Sequence, residues 1–206
     1  MLSRIKAELV AFGTLSNEAN SLFIKTRNAI NDKYMQAHRT DRINKAKDEL
    51  ETTLAEGRAQ VMKVTDEVLN AIKEKTASVA SVPVEADFTA TLEALKVMET
   101  PSKMEIDALI SKYKNNYICY RAISSVVGGK FKGYSPVTME QVINACDELR
   151  ERISRAVYSG KVNTYNYRML AESTFLDNYS EFFSSFLNGY FDKAGKIIAG
   201  DTQQEQ

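Results

Sequence analysis

The sequence predicts an all-α chain: a long N-terminal coiled-coil-like helix or helical hairpin, followed by a three- to four-helix aromatic-cored bundle. Three observations lead there. Breakers are scarce, with 3 prolines and 9 glycines in 206 residues, which favours long uninterrupted helices over a many-turned β fold. Apolar residues recur at spacings of three and four through the front third, as on a helix with one apolar edge. Fifteen of the 19 aromatic residues fall between Tyr113 and Phe191, so an aliphatic, charged front precedes an aromatic core. Apolar residues make up 44% and charged residues 26%, enough to build a core and too apolar for wholesale disorder.

The first long segment runs from Ser16, a suitable N-cap, to about Lys75, with Gly57 its one glycine. Set as a heptad, d falls on Ile43, Leu50, Gly57, Val64 and Ala71, and a on Lys47, Leu54, Val61, Val68 and Lys75. A seam this narrow implies a coiled coil or hairpin rather than a deeply buried helix. Upstream, Phe23, Ile30 and Ala37 repeat every seven residues. The register slips by one near His38–Asp41, through overwinding, a kink, or a second helix capped by Thr40 or Asp41. Uninterrupted, this segment would be a rod of roughly 90 Å at 1.5 Å per residue, and its apolar edge would need cover from the chain or from a partner.

Residues 76–87, TASVASVPVEAD, form a linker broken by Pro83. Asp87 caps a short helix covering Phe88, Leu92, Leu95 and Val97. The next helix opens at Thr100-Pro101, with Ser102 and Glu105 as a second capping option. It carries Ile106, Leu109, Ile110, Tyr113, Tyr117, Tyr120, Ile123 and Val127, and stops at Gly128-Gly129. Thr138 and Gln141 make a capping box for a helix carrying Met139, Val142, Ile143, Cys146, Leu149, Ile153, Ala156 and Val157, which ends at Ser159-Gly160. Asn163 or Thr164 opens the last long helix, whose stripe is Phe175, Tyr179, Phe182, Phe186 and Tyr190. The expected organisation is 1–80 as arm or hairpin, 81–99 as linker and short helix, 100–199 as bundle, and 200–206 as a frayed tail.

Candidate chemistry is sparse. VVGGKFKGYSP at 126–136 resembles a phosphate loop only superficially. A Walker A motif needs a glycine five residues before the Gly-Lys and a hydroxyl after it; here those places hold Ser124 and Phe131. It reads as an interhelical turn. His38 is the single histidine, so any Ser–His or Cys–His machine would depend on it, and it sits in a solvated, charged stretch. Cys119 and Cys146 fall near apolar helix faces, as buried small hydrophobes do. The carboxylates Asp48, Glu49, Glu51 and Glu56, and Asp147, Glu148 and Glu151, lie beside basic residues as salt-bridging faces do. No catalytic residue, metal ligand or cofactor site is expected.

Net charge is zero, 27 basic against 27 acidic, but the signs run in blocks. Residues 1–47 hold nine basic and four acidic groups, 48–107 six and thirteen, 108–170 ten and four, and 171–206 two and six. Alternating blocks suit self-association; blocks this modest also arise by chance on ordinary charged surface helices. No continuous apolar h-region occurs at the start and no membrane-spanning run is present, so a cytosolic protein is expected. The function this supports is a non-enzymatic structural or interaction protein that oligomerises, an assembly scaffold or adaptor, with itself or another protein as partner and no membrane. Its expected contact residues are Leu50, Leu54, Val61, Val64 and Val68 on the seam, and Phe175, Tyr179, Phe182 and Phe186 on the stripe. The alternative is a nucleic-acid-associated accessory protein using basic segments 25–47 and 112–132, with Lys112, Lys114, Arg121, Lys130 and Lys132 as candidate contacts.

Overall fold

The structure, a computed structural model, describes residues 1–128, 136–159, 174–191, 194 and 197. Among these the chain forms seven α-helices and no strand: α1 (Ser3–Lys33), α2 (Gln36–Val79), α3 (Phe88–Val97), α4 (Lys103–Tyr113), α5 (Tyr117–Val127), α6 (Met139–Tyr158) and α7 (Thr174–Leu187). The all-α class is as expected. The chain divides into two compact units, each discontinuous in sequence. One comprises Leu2–Leu69 and the described part of Glu148–Asp177; the other comprises Met1, Asn70–Asp147 and the described part of Asn178–Gln206.

In the first unit, α1 and α2 form an antiparallel hairpin. Gly57 lies so close to α1 that a Cβ there would stand 2.7 Å from Phe12 and 2.8 Å from Leu15, and Arg4 pairs with Glu67 at 2.9 Å. As the α1 number falls, the α2 number rises, so the two helices run in opposite directions about Tyr34 and Met35. The absence of a side chain at Gly57 is what lets the Phe12 ring sit against the α2 backbone. The hairpin base is completed by the end of α6, where Leu149, Ile153 and Val157 are buried at helical spacing. Arg150 bridges to Asp66 at 2.6 Å, and Lys6 to Asp177 at 2.5 Å.

Three sequence expectations change here. Helix α1 begins at Ser3, and Ser16 is a buried mid-helix residue rather than a cap. Leu2, Ile5, Leu9 and Phe12 form its buried edge, which calls for a helix well before Ser16. The break falls at Tyr34–Met35, with Tyr34 extended at φ −120° and ψ 144°, several residues ahead of the predicted slip. The strict heptad also fails at its far end: Ala71 and Lys75 are exposed, while Ile72 and Thr76 are buried. A straight helix drifts by about 20° per heptad, so the buried edge follows Leu54, Thr65 and Thr76, which are spaced by elevens.

In the second unit, α3, α4 and α5 enclose a core of Phe88, Leu95, Ile106, Tyr113, Cys119, Ile123 and Val127. The predicted single helix from about 102 to 127 is two helices. Asn116 interrupts it, extended at φ −114° and ψ 104°, and its side-chain oxygen accepts from the Cys119 N–H. Its amide nitrogen donates to the Pro83 carbonyl at 2.8 Å, tying the linker to the start of α5. Helix α4 uses the second predicted cap, a full Ser102–Glu105 capping box, so Thr100 does not fill that role. Asp87 holds the N-cap position of α3 without a side-chain cap bond; its carboxylate accepts from Lys112 instead, at 2.5 Å. The Thr138–Gln141 box is formed, at 2.8 and 3.1 Å.

An aromatic cluster finishes this unit. Tyr117, Phe186 and Phe191 meet with ring centroids 5.2–5.7 Å apart, mostly edge to face, and Tyr120 lies 5.1 Å from Phe191. The chain turns there through Gly189, at φ +81°, with Gly189 and Tyr190 N–H groups returning to the Phe186 and Ser185 carbonyls. This is a Schellman end, whose left-handed position suits glycine. The openings predicted at Asn163 and Thr164, the end at Gly160 and the tail at 200–206 lie outside the described residues.

Candidate functional site

The hairpin changes character along its length. Toward the base its facing sides are buried. From Asn17 to Thr53, spanning the turn, Ile30 alone is buried; Phe23, Tyr34, Ile43 and Leu50 are half-buried. Two helices packed only on each other leave their outer sides open. Met35 at the turn is 84% exposed and Leu22 is 65% exposed, with Ile24 also outside.

This distal region is also basic. Lys25, Arg27 and Lys33 stand on α1, and Arg39, Arg42, Lys45 and Lys47 on α2, against Asp32 and Asp41 as the acidic groups of 25–47. Two of the arginines build the turn. Arg39 donates through Nε to the Tyr34 carbonyl at 2.5 Å, satisfying a carbonyl that the end of α1 leaves open. The Arg42 guanidinium lies over the Tyr34 ring, 4.1 Å from its centroid. Cation–ring contacts at exposed sites contribute about 0.5–1 kcal/mol. A two-residue turn without glycine or proline is thus held by two cations seated on one tyrosine.

A second exposed surface, of opposite sign, belongs to the other unit. Residues 82–107 carry Glu85, Asp87, Glu93, Glu99, Glu105 and Asp107 against Lys96 and Lys103, and all six carboxylates are exposed. Between them, Val97 is 80% and Met104 83% exposed, with Val82 and Val84 also outside. Val97 ends α3, as expected, and faces solvent. Asp87, Glu105 and Glu93 have structural partners. Lys112 draws the Asp87 carboxyl below its ordinary value, and the Ser102 hydroxyl does the same for Glu105. Glu93 pairs with Lys96 at 2.7 Å.

The predicted contact residues sit elsewhere. Leu54, Val61, Val64 and Val68 are buried, so of the two covers expected for this seam, the chain or a partner, the chain supplies it. Phe182 and Phe186 are core residues; Phe175 and Tyr179 are half-buried, with Arg152 over the Phe175 ring at 4.9 Å. Of the candidate nucleic-acid contacts, Lys112 is engaged by Asp87 and lies 4.8 Å over the Tyr113 ring. Lys114 and Arg121 are exposed, and Lys130 and Lys132 lie outside the described residues. Tyr113, Tyr117 and Tyr120 are buried, which removes them as base-stacking platforms. The residues that sequence reasoning missed are Leu22, Ile24, Met35 and Met104; the signal was an apolar residue off the repeat in a charged stretch.

The remaining reactive groups fit structural roles. Cys119 and Cys146 are buried. Burial pushes both thiols up, Cys146 to about 12, which keeps them protonated and poorly nucleophilic. His38 is exposed, and its backbone N–H donates to Met35 at the turn. Asp147 bridges to Lys73 at 2.7 Å and Glu148 to Arg152 at 2.8 Å, while Glu151 pairs with Arg155. Among the described residues no group of three metal-ligating side chains converges, and no helix is long and apolar enough to cross a membrane. The chain matches no protein family, no curated protein and no solved structure.

Proposed function

We propose that this chain is a non-enzymatic structural or interaction protein that self-associates, of the assembly-scaffold or adaptor kind. The observation that carries the reading is the distal hairpin: residues 17–53 bury one side chain, Ile30, while exposing Leu22, Ile24 and Met35 among basic groups. A stretch this long with so little of its own core is matched to a surface it meets in an assembly. Leu54, Val61 and Val68 are covered by the chain itself and take no part in this surface. Light scattering over a concentration series tests it. The expected mass exceeds the 23.1 kDa of one chain and rises with concentration; a strict monomer at the highest concentration overturns the reading.

A second reading, a nucleic-acid-associated accessory protein, draws support from the seven basic residues of 25–47, and less from 112–132, where Lys112 is already engaged. Phosphate contacts release counterions, so affinity for a nucleic acid would fall with added salt. Absence of binding at low salt removes this reading.

A further inference from the structure

We propose that the distal hairpin of one copy docks on the α3–α4 surface of a second copy, a head-to-tail contact between two unlike surfaces of the same chain. The inference rests on the self-association reading above and specifies its contact. Both segments expose apolar side chains among charged ones. Met35 and Leu22 are exposed on the hairpin, and Val97 and Met104 on the α3–α4 segment. Their charges are opposite: segment 25–47 has an excess of five positive charges, and 82–107 an excess of four negative ones. Each surface taken with its own copy brings like charges together, which opposes a two-fold symmetric pairing of either; taken with the other, the charges attract. Interfaces of this unlike kind either close into rings or extend as filaments, as an assembly protein requires.

The two surfaces are chemically separable, so the contact is open to a charge exchange. One variant carries Lys25→Glu, Lys33→Glu and Lys45→Glu, making the hairpin acidic. The other carries Glu85→Lys, Glu93→Lys and Glu99→Lys, making the α3–α4 surface basic. Asp87 and Glu105 are left in place because they hold Lys112 and the α4 cap. Circular dichroism and thermal melting establish that each variant is folded. In light scattering, each variant alone should associate at least about tenfold more weakly than the unaltered chain, since like charges now face each other. An equimolar mixture should regain the assembly, because the acidic hairpin meets the basic surface and the reverse contact is intact. The unaltered assembly should also loosen with salt, because exposed charges are screened beyond about 8–10 Å near physiological ionic strength.

If the unaltered chain associates and the two folded variants associate equally well alone, this contact is wrong while self-association stands. If the mixture gains nothing over its components, the contact is likewise wrong. A strict monomer that binds nucleic acid through the unaltered hairpin overturns both this contact and the self-association reading.

Discussion

Two glycines show how one residue type answers two different demands. At Gly57 the backbone is helical and the constraint is room. Alanine would gain about 1 kcal/mol of helix propensity, yet its Cβ would press on Phe12 and Leu15 at 2.7–2.8 Å. Overpacking of this kind costs about 1–3 kcal/mol, and an aromatic ring has few ways to yield. Gly57→Ala should therefore lose on the order of 1 kcal/mol in urea unfolding, and the loss should shrink or reverse in a Phe12→Leu background. At Gly189 the constraint is conformational as well: φ is +81°, and a Cβ would meet the Lys114 carbonyl at 2.8 Å. Backbone cannot swing aside as a side chain can, so Gly189→Ala should cost roughly 2 kcal/mol or more, with no second-site rescue of the first kind. Asp87 supplies the residue-scale pH prediction. Its hydrogen bond from Lys112 lowers its pKa from 3.8 and raises that of Lys112 above 10.5. The stabilisation is thus present between those two values; it is lost as acid protonates Asp87 and as alkali discharges Lys112. Asp87→Asn should melt below the unaltered chain at pH 7, and the difference should close as the pH falls below 3.8.

At the level of elements, caps carry much of the specification, and Asn116 is the one with two duties. It caps α5 and donates to Pro83. Asn116→Ala removes a cap worth about 1 kcal/mol and leaves a carbonyl short of its donor, which adds about 1 kcal/mol or more. A loss of about 2 kcal/mol in denaturant unfolding is expected, and Asn116→Asp, which keeps the cap and loses the donor, should fall between. Capping was legible in the sequence where side chain and spacing coincide, as at Thr138–Gln141 and Ser102–Glu105. The α4–α5 break was not, because Tyr113 and Tyr117 keep a spacing of four across it and the apolar rhythm never falters; the Asn115-Asn116 pair was the available signal. The hairpin turn was harder still. Tyr34 and Met35 are no turn formers, and the cations that hold the turn come from the following helix, so a register slip was the one trace in the chain. The slip pointed to the right feature and displaced it by several residues.

For the molecule as a whole, the separation of the units from chain order decides what folds alone. The hairpin base is finished by Leu149, Ile153 and Val157 from much later in the sequence. A fragment of residues 1–80 should therefore retain helical circular dichroism but lose the sharp cooperative melt of the full chain. In the full chain, amides of 17–53 should exchange with solvent well before those around Leu54–Leu69, since local opening there exposes little apolar surface. The sequence identified an apolar edge that must be covered, and it is covered; what covers it was hidden because that depends on residues more than 80 positions away, as in Arg150 with Asp66. The most regular apolar positions, such as Leu54, Val61 and Val68, are buried. Regularity marks the core, and the exposed apolar residues are the irregular ones, such as Met35 and Met104.

The turn between α1 and α2 has a consequence for how this hairpin can vary. Tyr34 and Met35 are all that lies between Lys33 and Gln36, so the two limbs are locked together in length. An insertion in one limb alone would slide every rung beyond it past its partner. Matched insertions of seven residues in both limbs would preserve the rungs and extend the reach by about 10 Å. Lineages that lengthened or shortened this element would have done so by twinned changes, one on each side of the bend, and an engineer could use the same rule to set its length like a ruler.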